Sequence, residues 1–137
     1  MVSTPASRRN ALAAESQRVR CAQLRLYLAL GSALTIAAAA LLGSPLASVA
    51  ADPDLARLLR GMALIKALIV TIALLLLRWR FGQPLSSRLA AAYLAGVWLM
   101  AGASMMIWQL AEIPTAAFSF HLGAFVLLAT AWRDRAC

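Results

Sequence analysis

The sequence predicts an all-α integral membrane protein, a four-helix bundle whose N-terminus and C-terminus are both cytoplasmic. Three observations predict it. The chain is 63% hydrophobic and 13% charged, whereas a soluble domain is about half apolar and about a quarter charged. The apolar residues are mostly Ala and Leu, which favour helix, and they gather into four runs suited to a hydrocarbon core of about 30 Å. Ten of the twelve Arg residues fall on one side of those runs, which fixes orientation.

Residues 1–25 read as a basic cytoplasmic segment carrying Arg8, Arg9, Arg18, Arg20 and Arg25. It is expected to be either an interfacial helix using Leu12, Val19 and Ala22, or a tail attracted to anionic lipid. Residues 26–137 read as a four-span transmembrane domain. The first span, 26–51, opens with 17 uncharged residues up to Leu42 and continues through Gly43, Ser44 and Pro45. Ser48, Val49 and Ala50 before Ala51 resemble a signal-peptidase site, and Arg8 and Arg9 a twin-arginine signal. The apolar run is too long and begins too far from the start for either, so an uncleaved span is expected.

The second span, 61–77, contains one charge, Lys66. Asp52 ahead of it is a helix cap and Pro53 suits a first helical position, so this helix is expected to begin near Pro53. The third span, 89–111, has no charge, and the fourth, 113–132, is interrupted by His121. The tight reversal Glu112, Ile113 and Pro114 makes these two antiparallel neighbours.

On one side of the membrane lie the N-terminal Arg residues with Arg78, Arg80, Arg88, Arg133 and Arg135. On the other lie Arg57 and Arg60 with Asp52, Asp54 and Glu112. The first side is therefore cytoplasmic. The +8 net charge sits in segments that flank apolar runs, so it is assigned to orientation and no nucleic-acid partner is expected. Arg in place of Lys and abundant Ala suggest a GC-rich bacterial genome, hence a multi-pass protein of the bacterial inner membrane. Cys21 and Cys137 would both face the reducing side, so no disulfide is expected.

Ionisable or strongly polar groups at membrane depth are functional candidates. Here they are Lys66, Gln109, Glu112 and His121. His121 lies about 12 Å into the fourth span, counting eight residues at about 1.5 Å each. Small neighbours on its helix suggest that the ring faces the bundle, bonded to Gln109, Ser104, Tyr93 or a backbone carbonyl. With Met105 and Met106 at similar depth it would also form a candidate copper or haem site, since imidazole and thioether suit such metals. Otherwise no cofactor is expected. Lys66 is expected to carry its ammonium to the headgroups, or to face Glu112 or an anionic ligand. Ala92, Gly96, Gly102, Ser119 and Gly123 are candidate helix-packing positions, where small side chains allow close approach. Trp79, Trp132 and Trp108 match interfacial belts.

Residues 58–80, with Lys66 early in a span and Arg78 and Arg80 at its end, faintly resemble one segment of the bacterial CopD-like copper membrane proteins. The likeness is confined to that segment, assigns no family and transfers no residue role. No Ser, His and acid set, paired intramembrane carboxylates or phosphate loop is legible in the sequence. The chain is therefore expected to be a non-catalytic accessory or assembly subunit, packing against membrane partners in a respiratory or other redox complex. Alternatives are a small homo-oligomeric transporter or channel, and a copper- or haem-binding protein.

Overall fold

Each helix starts and stops where the local chemistry dictates. The computed structural model describes residues 5–44 and 52–135, and its four helices are all long and apolar enough to cross a membrane. Helix α1 spans Pro5–Leu42, α2 Pro53–Arg80, α3 Ser87–Trp108 and α4 Ile113–Arg135. No strand occurs among the described residues.

Helix α1 runs through both the basic segment and the start of the first span. It is one continuous helix of 38 residues, about 57 Å long at about 1.5 Å per residue. Nothing between Pro5 and Gly31 breaks it, and the intervening Ala, Gln, Arg and Leu are good helix formers. It stops at Leu42, ahead of Gly43, whose N–H still reaches the Ala39 carbonyl at 3.0 Å. The expected continuation of the first span over 45–51, and Cys137, lie outside the described residues.

Helix α2 begins as expected. One carboxylate oxygen of Asp52 accepts from the N–H groups of Asp54 and Leu55 at 3.0 and 3.1 Å, with Pro53 in the first turn. It ends in a turn through Phe81 and Gly82, closed by bonds to the Leu77 and Trp79 carbonyls. Ser86 caps α3. At the far end of α3, the Leu110 N–H bonds to the Ile107 carbonyl and the Ala111 N–H to the Met106 carbonyl. This is the Schellman pattern, in which the residue after the cap is left-handed and usually Gly. Here it is Leu110, with φ 61°, and Glu112 two residues on has φ 42°. Leu110 is buried, so an apolar side chain is kept at the expense of backbone strain.

Helix α3 is the centre of the molecule. Ten of its 22 residues are buried, against four of the 28 in α2. The other three helices pack around it, while α1 and α2 barely touch. The closest approach is to α4, where Gly96 faces Gly123: a Cβ on Gly123 would lie 2.6 Å from the Gly96 carbonyl oxygen. Close backbone approach of this kind supplies the dispersion contacts that hold helices together when surrounding lipid is equally apolar. On the α1 side, Trp98 of α3 occupies the space where a side chain on Gly31 would stand. Val97, Met100 and Phe81 are the largest fully buried side chains.

Three segments distant in sequence meet at one end of the bundle. Arg20 of α1 bonds to the Ser87 hydroxyl, Arg25 lies against Gly82, and Arg80 pairs with Asp134. The basic N-terminal stretch, the α2–α3 turn and the end of α4 therefore share a side. Asp52 and Glu112 mark the opposite end.

Candidate functional site

The four polar positions singled out at membrane depth do not converge on one cavity. Lys66 leaves the edge of α2 that looks toward α4, and its Nζ stands 4.1 Å from the centre of the Phe120 ring. This is a cation–π contact, in which the electron-rich ring face attracts the ammonium. No ion pair joins Lys66 to Glu112 among the described residues. Gln109 turns to α1 instead: its Nε2 donates to the Ala40 carbonyl at 2.9 Å, while its Oε1 is buried without a partner. Glu112 is exposed in the α3–α4 reversal.

His121 departs most from expectation. It lies on the exposed face of α4 with Phe118, Phe125 and Leu128, and its ring stands edge-on to Phe120. The cause is helical register. Gly123 fixes the side of α4 that meets α3, and two residues at about 100° each place His121 about 200° away from it. Nδ1 lies 2.7 Å from the Ala117 carbonyl; because a carbonyl can only accept, Nδ1 carries the hydrogen. Gln109, Ser104 and Tyr93 are not its partners: the Ser104 hydroxyl donates to Met100 of its own helix and Tyr93 to Asp134.

The candidate metal set of His121, Met105 and Met106 is not brought together. Met105 lines a groove between α2 and α3 beside Ile36 of α1, Met106 lines another over α3 between α1 and Ser119 of α4, and His121 lines neither. The described residues hold no group of three His, Cys, Asp or Glu placed for a metal. Of the packing candidates, Gly96 and Gly123 form the α3–α4 crossing and Gly102 faces Thr35 of α1. Ser119 lines the α1–α4 groove, and Ala92 is half-buried on α3.

The polar cluster best assembled by the fold was not anticipated. Arg80 grips Asp134 with two parallel hydrogen bonds, Nε to Oδ2 at 2.8 Å and Nη2 to Oδ1 at 2.7 Å. Tyr93 donates to the same Oδ2 at 3.2 Å, and Phe81 meets the Tyr93 ring edge-on. Side chains from α2, α3 and α4 are thereby joined at one end. Bidentate pairing fixes the relative geometry of guanidinium and carboxylate as well as contributing energy. A sequence signal was present: Asp134 is an acid amid Arg133 and Arg135, at the same boundary as Arg80. Phe120, the ring beneath Lys66, carried no signal beyond its apolar character.

The chain matches no protein-family model, no curated protein and no solved structure.

Proposed function

We propose that this chain is a small accessory subunit without catalysis of its own, packing through the outward face of α4 against a larger partner in a bacterial inner-membrane assembly, such as a respiratory or other redox complex. The observation that carries this reading is His121. A ring nitrogen presented outward at membrane depth is disfavoured by hydrocarbon, and such groups almost always face protein or water. With Nδ1 committed to Ala117, Nε2 is the nitrogen left to meet a partner. Phe118, Phe125 and Leu128 around it are each about 70% exposed, giving a partner helix an aromatic and aliphatic bed. No cofactor is proposed, since His121 lines neither methionine groove.

The orientation that goes with this reading places the Arg80 end in the cytoplasm. A cysteine introduced near Asp54 then reacts with an impermeant reagent from outside the cell, and one near Ser86 does not. The interface is tested by a photo-crosslinking residue at Phe125, with Leu75 of α2 as a lipid-facing control. A product with a different protein at Phe125, weakened in His121→Leu, is expected. A product with a second copy of this chain would favour the homo-oligomeric transporter or channel, and none at either position would refute the interface.

A further inference from the structure

We propose that the seam of α2 against α3, flanked at depth by Ile36 of α1, binds one anionic phospholipid, with its phosphate against Arg57 and Arg60 and an acyl chain laid along Ala63, Ala67 and Thr71. Two adjoining cavities make the seam. One, near the Asp52 end, is about 610 Å³ and is lined by Arg57, Arg60 and Gly61. The other, deeper, is about 330 Å³, with Ile36 of α1, the α2 residues just named and Met105 of α3 among its walls. Leu64 and Trp108 line both, so the basic mouth leads directly into the apolar floor.

The chemistry of the walls suits a molecule charged at one end and hydrocarbon at the other. Arg57 and Arg60 lie one turn apart on a single face of α2, and two guanidinium groups can each offer paired donors to phosphate oxygens. The nearby acids do not line the mouth, and Asp52 is engaged in capping α2. Gly61 keeps the passage clear, with nothing within 4 Å of where a Cβ would stand. Below it the two hydroxyls are turned away: Thr71 donates to the Ala67 carbonyl at 2.9 Å and Ser104 to the Met100 carbonyl at 2.8 Å. The floor therefore presents carbon.

The length of the apolar floor suits an acyl chain. From Arg60 to Leu74, the deepest α2 residue of the floor, is 14 residues, about 21 Å at about 1.5 Å each. That exceeds the depth of one leaflet, half of about 30 Å.

The test uses the full chain purified in mild detergent and titrated with phosphatidylglycerol or phosphatidylcholine, with bound lipid counted by native mass spectrometry. One phosphatidylglycerol per chain should be retained in preference to phosphatidylcholine. Arg57→Gln with Arg60→Gln should weaken retention on the order of 10- to 30-fold. Arg78→Gln with Arg88→Gln, an equal charge change at the other end, should leave it within about twofold. Ala67→Leu, which fills the floor and keeps both arginines, should also weaken it, and unchanged thermal melting would show that these variants remain folded. Equal retention of the two lipids, indifference to the Arg57 and Arg60 changes, or displacement by inorganic phosphate alone would overturn the proposal. So would a photo-crosslink from Ala67 to another protein in place of lipid.

Discussion

Replacing Gly123 by Ala isolates what the α3–α4 crossing contributes. The new Cβ would stand 2.6 Å from the Gly96 carbonyl oxygen, 2.9 Å from Cγ of Met100 and 3.1 Å from Cβ of Leu99. A comfortable carbon–oxygen contact is about 3.3–3.6 Å, so the two helices must separate by about 0.7–1.0 Å. The obstructing oxygen is backbone and cannot rotate away. Overpacking of this kind costs about 1–3 kcal/mol, against a gain of about 0.8–1.0 kcal/mol from the better helix propensity of Ala. Gly102→Ala is the internal control. Its Cβ would meet Thr35 at 3.7 and 3.8 Å, and at Gly61 nothing lies within 4 Å, so both controls should keep the propensity gain. Unfolding in mixed micelles, followed by circular dichroism against the mole fraction of denaturing detergent, should place Gly123→Ala about 1–3 kcal/mol below Gly102→Ala. Equal stability for the two variants would refute a backbone-limited crossing.

The Arg80 and Asp134 pair should show a coupling of about 1.5–3 kcal/mol in a cycle of Arg80→Gln and Asp134→Asn, and Tyr93→Phe a smaller loss; additive single changes would mean that the pair is ornamental. Lys66→Met and Phe120→Leu should couple by about 0.5–2 kcal/mol, measured by the same unfolding assay, with zero coupling refuting the contact. At Glu112, where φ is 42°, Gly should be neutral or stabilising and Val destabilising by about 1–2 kcal/mol, and a tolerated Val would show that the reversal does not need the left-handed conformation.

The spans were legible because hydrophobic length and charge placement are properties of the chain alone. Asp52 and Pro53 announced the start of α2, and Glu112, Ile113 and Pro114 the reversal between α3 and α4, because capping and the missing proline donor act within a few residues. The facing of His121 was legible in principle. Gly123 reads as a packing residue and the small neighbours of His121 suggest a bundle-facing ring, yet residues two apart on a helix cannot both point the same way. What local reasoning could not supply was pairing between helices. Lys66 with Phe120, Gln109 with Ala40 and Arg80 with Asp134 each depend on which helices are neighbours and at what rotation. Such contacts are separated by 54 residues for Lys66 and Phe120, counted from the sequence, and by 69 and 54 residues for the other two. The sequence leaves residues 1–25 open between helix and tail, because their apolar face is thin, although Arg is as compatible with a helix as Leu.

Within a bilayer, apolar area alone does not draw helices together, so the fold has to hold each helix by contacts better than those lipid offers. Helices α3 and α4 meet that requirement twice, through the Gly96–Gly123 approach and the short reversal that keeps them adjacent. Helix α2 is held to the same pair at two levels, by Lys66 on the Phe120 ring and by Arg80 on Asp134. Helix α1 relies on Trp98 against Gly31 and on the Gln109 bond to Ala40, and meets α2 hardly at all. The seam of α2 against α3, on the side where α1 and α2 diverge, is where the proposed lipid sits. The outward face of α4 points away from α3 and does not line that seam. A lipid in one place and a partner on the other would not compete, so changes at Arg57 and Arg60 should leave crosslinking at Phe125 intact, and His121→Leu should leave lipid retention intact. Loss of both together would mean that the two surfaces share a single two-state movement of α3 rather than acting as separate contacts.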